Sequence, residues 1–134
     1  MHPKRIGHVV LKVRDLAQAQ AFYTEVLGFE VVSQFDQAPA VFLSLGEQHH
    51  DIALFEVSLA AMGPIADQVG LHHVALQLES YEALKDAHAE LQRRGVRILR
   101  AVDHRTTKSV YFCDPSGNRL ELYCDVAANA LALA

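Results

Sequence analysis

Gly7-His8-Val9-Val10-Leu11-Lys12-Val13 returns 65 residues later as His72-His73-Val74-Ala75-Leu76-Gln77-Leu78. His8 falls on His73, Val9 on Val74, Leu11 on Leu76 and Val13 on Leu78. The alternation marks both stretches as strands with one aliphatic face. A capping-type residue follows each, Asp15 or Ser80, and then an amphipathic helix pattern. The first helix sets Leu16, Ala19, Phe22, Tyr23, Val26 and Leu27 on one stripe and stops at Gly28. The second sets Tyr81, Leu84, His88 and Leu91 on a stripe, carries Arg93 and Arg94 in its last turn and stops at Gly95. Strand-like runs at 29–32, 40–45 and 51–57 complete the first half, and runs at 96–99, 108–113 and 119–124 complete the second. The pattern predicts an α+β fold of two βαβββ modules, about 5–57 and about 71–125. A linker at about 58–70, with Met62-Gly63-Pro64 in it, joins them, and a tail covers 126–134. Either module alone is too small for a good core, so both are expected to pack as a single domain, 1–134, around one cavity.

Composition narrows the function. The chain has 134 residues, a net charge of −4, 51% hydrophobic residues and few Gly or Pro, which excludes disorder and low complexity. The mildly acidic balance argues against nucleic acid or an anionic membrane as partner. Lys12 and Arg14 interrupt the first apolar run, as a signal peptide would not, and no segment approaches the roughly 18 apolar residues of a membrane-spanning helix. A soluble, cytoplasmic protein is expected, with Cys113 and Cys124 as reduced, buried thiols. The tail, mostly Ala and Leu, reads as a short packed helix or an interface element.

Eight histidines stand out, four of them as His49-His50 and His72-His73. Strand alternation leaves His8, His73 and Glu121 on the faces opposite the aliphatic ones, Glu121 lying between Leu120 and Leu122. With the halves in one curved sheet, these three would point into a shared cavity. Two imidazoles and a carboxylate suit a divalent transition metal with open positions, such as non-haem Fe(II). His2 belongs to the terminus, His49 to a loop, His72 to the aliphatic face and His88 to the edge of a packed helix face.

These segments, with Val110-Tyr111-Phe112-Cys113-Asp114-Pro115-Ser116-Gly117-Asn118-Arg119-Leu120-Glu121-Leu122-Tyr123, resemble the vicinal oxygen chelate superfamily over nearly the whole chain. That group includes glyoxalase I, extradiol ring-cleavage dioxygenases, fosfomycin-resistance enzymes and bleomycin-binding proteins. The resemblance implies paired βαβββ modules wrapped around a metal, with His8, His73 and Glu121 as its ligands. It also implies a homodimer, with the site built within one chain or across two. His49-His50-Asp51-Ile52-Ala53-Leu54 resembles the extradiol segment whose second histidine, here His50, is the acid/base. Tyr111 falls where those enzymes place a tyrosine on the bound catecholate, and His104 answers to a second active-site histidine across a two-residue gap. The implied activity is ring cleavage of a small catechol by O₂ with Fe(II), Mn, Zn or Ni also being suited; Phe35, Phe42 and Phe55 are candidates for the pocket wall, with core packing the commoner use of such residues. Two further readings stay open. A glyoxalase-I-like lyase would add Glu56 as a fourth ligand, and a binding or resistance protein would hold a small molecule without turnover.

Overall fold

A computed structural model of the chain describes residues 1–35, 37–103 and 106–125. His104 and the tail at 126–134 lie outside them. The chain divides into two compact units, Met1–Gly63 and Pro64–Ala134, and the boundary falls within Met62-Gly63-Pro64.

In the first unit, β1 (Val9–Val13) leads to α1 (Leu16–Ala21), a π-helical turn (Phe22–Val26), β2 (Glu30–Phe35), β3 (Ala40–Ser44) and β4 (Ile52–Glu56). The sheet order is β1-β4-β3-β2, with β1 parallel to β4 and the other pairs antiparallel. Alternation sends Leu11, Val13, Val41, Leu43, Ile52 and Leu54 into the core, each 3% exposed or less. The Asp15 side chain accepts from the Gln18 N–H at 3.0 Å and starts α1 as its cap. The expected helical stripe at 16–27 widens halfway into the π turn. Phe22 and Tyr23 are adjacent and both buried, and the wider turn admits two consecutive aromatics to the core.

The second unit repeats the order with β5 (Val74–Gln77), α2 (Tyr81–Arg93), β6 (Ile98–Asp103), β7 (Thr107–Cys113) and β8 (Arg119–Asp125). Its sheet runs β5-β8-β7-β6, with β5 parallel to β8. Ser80 caps α2 through the Ala83 N–H at 3.1 Å, and Gly95 ends it at φ +71°, where a Cβ would be strained. Leu84 and Leu91 of α2 are buried, as are Val110, Phe112, Leu120, Leu122 and Cys124 of the sheet. Each module thus closes a four-stranded mixed sheet, with a bulge at a corresponding place in its outer strand, Val31/Ser33 in β2 and Ile98/Arg100 in β6.

Candidate metal centre

In the second unit, a tight turn aims the carboxylate. Asp114, 4% exposed, accepts at Oδ1 from the N–H groups of Ser116 and Asn118 and at Oδ2 from Asn118 Nδ2, each at 2.9 Å. The Gly117 N–H donates to the Asp114 carbonyl, and Gly117 stands at φ +90°. β8 starts on the next residue but one, so Leu120 and Leu122 go under the helix and Glu121 goes to the other face. There His73 Nε2 and Glu121 Oε1 meet at 2.9 Å, and Ser109 Oγ on β7 donates to Glu121 Oε2 at 2.5 Å. The Tyr111 ring stands edge-on to His73, with centroids 5.6 Å apart, and the Arg100 guanidinium lies 5.1 Å over that tyrosine. His73 Nδ1 shares a hydrogen bond with His72 Nδ1 at 2.7 Å, which leaves Nε2 for the carboxylate.

The first unit gathers a second imidazole cluster. Asp51 shapes it: its carboxylate accepts from the Leu45 N–H at 2.8 Å and Gln48 Nε2 at 2.6 Å, and its carbonyl accepts the Val9 N–H at 3.1 Å. That last bond ties the start of β1 to the 45–51 loop and sets His8 beside His50, with ring centroids 4.5 Å apart. His50 shares a hydrogen bond with His49 between their Nδ1 atoms at 2.9 Å and stands against Phe42, which stacks edge-on with Phe35. Burial first, and then the nearby His8 and His49 imidazoles, lower the His50 pKa from its ordinary value, while Asp51 opposes the change.

Two ligand atoms bonded to one metal at about 2.1 Å and at right angles sit roughly 3 Å apart. The His73–Glu121 separation of 2.9 Å has that spacing, so the hydrogen-bonded pair fits adjacent positions on a divalent cation. Among the described residues of either unit, no three His, Cys, Asp or Glu side chains gather into a metal-holding group. Each unit presents a pair, His8 with His50 and His73 with Glu121.

Several residues stand elsewhere than expected. His8 and His73 directly precede their strands, and His72 is exposed beside His73, because β5 begins only at Val74. Glu56 Oε2 accepts the Leu16 N–H at 2.8 Å, closing the first turn of α1. Phe35 and Phe55, 55% and 41% exposed, stand outside the core. Ser109 was not singled out in the sequence. Its signal is a polar residue sharing the parity of Tyr111 beside Val110 and Phe112, and it is 2% exposed.

A family profile described as Glyoxalase/Bleomycin resistance protein/Dioxygenase superfamily matches residues 5–122. Among curated proteins, the chain is 34% identical over 124 residues to biphenyl-2,3-diol 1,2-dioxygenase 3 of Rhodococcus globerulus, covering 90% of this chain and 63% of the relative. It is 32% identical over 120 residues to catechol-2,3-dioxygenase of Bacillus subtilis (strain 168), covering 90% of this chain and 41% of the relative. The chain therefore spans less than two thirds of these relatives. Among solved structures, the glyoxylase/bleomycin resistance protein/dioxygenase domain from Frankia sp. EAN1pec superposes with a TM-score of 0.79 at 22% identity, covering 95% of this chain and 96% of that one. The fosfomycin resistance protein FosX of Listeria monocytogenes gives 0.78 at 19%, covering 99% and 100%. The repeat, the two sheets and this profile lead to one conclusion: the chain belongs to the glyoxalase/bleomycin resistance protein/dioxygenase superfamily.

Proposed function

We propose that the chain is an extradiol-type dioxygenase domain that cleaves a small catechol-like aromatic with O₂, using Fe(II) held by His8, His73 and Glu121. The observation that carries this reading is the His73 Nε2–Glu121 Oε1 contact at 2.9 Å with Tyr111 beside it. The dioxygenase names of the curated relatives support it. When bound, Fe(II) supplies positions for the two catechol oxygens and for O₂, and a route for electrons from ring to oxygen. The chain does the rest. Tyr111 donates its hydroxyl to a catecholate oxygen and orients it. His50, its Nδ1 engaged by His49, takes the substrate proton at Nε2 and returns it as the ring opens. Phe35, Phe42 and Phe55 pack against the ring. Substrate and O₂ are the partners, and the reading includes a homodimer in the cytoplasm.

Glu56 ranks the lyase reading lower, because its carboxylate is occupied at the start of α1. The test is anaerobic loading with Fe(II), followed by O₂ uptake and ring-fission absorbance with catechol and 2,3-dihydroxybiphenyl. One O₂ consumed per ring opened is the expected result. Zinc or nickel binding with hemithioacetal isomerisation and no O₂ uptake would move the protein to the lyases. Failure to bind any divalent metal overturns both.

A further inference from the structure

The second unit holds a cavity of about 340 Å³ whose lining includes His72, next to His73, and Arg119, two residues before Glu121. Residues 64–66 and 68–72 form one wall, Asp67 between them lying outside the lining, and Arg97, Cys113 and Arg119 form the other. Its volume lies at the lower end of the roughly 300–1,000 Å³ of small-ligand pockets. The geometry brings the two arginines to one place. Cys113 donates its N–H to the Arg97 carbonyl at 3.0 Å and is paired in register with Arg119, so the arginines flank the end of β7 from both sides. Both also bear electrostatically on the Cys113 thiol, where they oppose the upward effect of burial.

No Asp or Glu lines the cavity, and among the described residues neither arginine is in an ion pair. Arg100, over Tyr111, adds a third cation to the same face in a chain whose net charge is −4. Like charges held together favour an anion between them, and a guanidinium fork matches a carboxylate. The wall also carries exposed apolar side chains, Ile65, Leu71 and Leu99 at 50%, 61% and 38%, beside the polar Gln68 and His72. A ring with an acidic group satisfies both parts. Arg119 and Glu121 share a face of β8 two residues apart, about 7 Å along the strand, on the scale of one substituted ring.

We propose that this cavity binds the carboxylate of a small aromatic acid, and that the substrate of the neighbouring centre is a catechol carrying that carboxylate. The second half rests on the function proposed above; the first does not. The test therefore has two arms. In the first, benzoate is titrated calorimetrically into metal-free protein, into Arg97→Gln and into Arg119→Gln, with thermal melts to confirm folding. Binding to the wild type, weakened at least tenfold in each folded variant, is expected. Arg97 is exposed, which makes it the safer substitution if Arg119→Gln does not fold. Absent benzoate binding, binding indifferent to both arginines, or equal competition by inorganic phosphate overturns the proposal. In the second arm, the Fe(II)-loaded wild type is expected to favour dihydroxybenzoates over catechol at least tenfold in kcat/KM, and the arginine variants to lower that ratio. Benzoate binding without ring cleavage refutes the function and keeps the site. Catechol cleavage without benzoate binding does the reverse.

Discussion

Replacing Ser109 by alanine removes one bond, the donation from Oγ to Glu121 Oε2 at 2.5 Å, and leaves Oε1 facing His73. Ser109 is 2% exposed, so water has little room to take over the lost donor. A hydrogen bond to a charged group contributes about 1.5–3 kcal/mol. At about 1.4 kcal/mol per tenfold, that is a change of roughly 10- to 150-fold in an equilibrium constant. Loss of partners that orient metal ligands costs a similar 10- to 100-fold in affinity. Ser109→Ala is therefore expected to weaken metal binding by one to two orders of magnitude, measured as competition with a chromophoric chelator on apoprotein. Ser109→Thr, which keeps the hydroxyl, should restore most of it. If Ser109→Ala binds metal as tightly as the wild type, Ser109 does not position Glu121 as a ligand, and Glu121's own place in the set loses its support.

Other substitutions separate ligands from neighbours. His73→Ala is expected to abolish metal binding and His50→Ala to keep metal while losing turnover, read by metal analysis beside O₂ uptake; metal loss in the His50 variant would reverse the roles. Glu56→Ala should lower stability by about 1 kcal/mol, as loss of a helix N-terminal acceptor does, with chelator competition unchanged. A large drop in metal affinity would put Glu56 among the ligands. Burial raises the Cys113 thiol pKa, and Cys124 is 1% exposed, so both should react with a disulfide reagent only after unfolding. The sign for stability follows: above the ordinary thiol range the unfolded chain ionises before the folded one, so Cys113 adds to the loss of stability in alkali, visible as a falling Tm that Cys113→Ser lessens.

The modules were legible because their markers are local. Asp15 and Ser80, Gly28 and Gly95, and the period of two in 9–13 and 120–124 each determine their own few residues, and the elements formed where these said. The turn at Asp114–Asn118 could be read for the same reason. The π turn could not, since Phe22 and Tyr23 fit an α-helical stripe until packing demands both. The bonds of Ser109 and Glu56 run 12 and 40 residues along the chain, and their partners follow from register and not from spacing. Arg97 and Arg119 are ordinary surface cations in the sequence. Only the pairing of Cys113 with both neighbouring strands makes them a pair.

The parallel pairing of β5 with β8 has a consequence for assembly. Ala75 stands opposite Glu121, with α2, β6 and β7 threaded between. A parallel pair cannot close through a hairpin; it waits for the whole crossover to be in place. His73 and Glu121 come within reach only when the last strand of the module docks, so the donor pair is among the final contacts made by the folding second unit. A metal probe added to refolding protein would thus act as a clock for completion of the unit. A chain halted before β8 would lack Glu121 and have nothing to offer the metal but separate histidines.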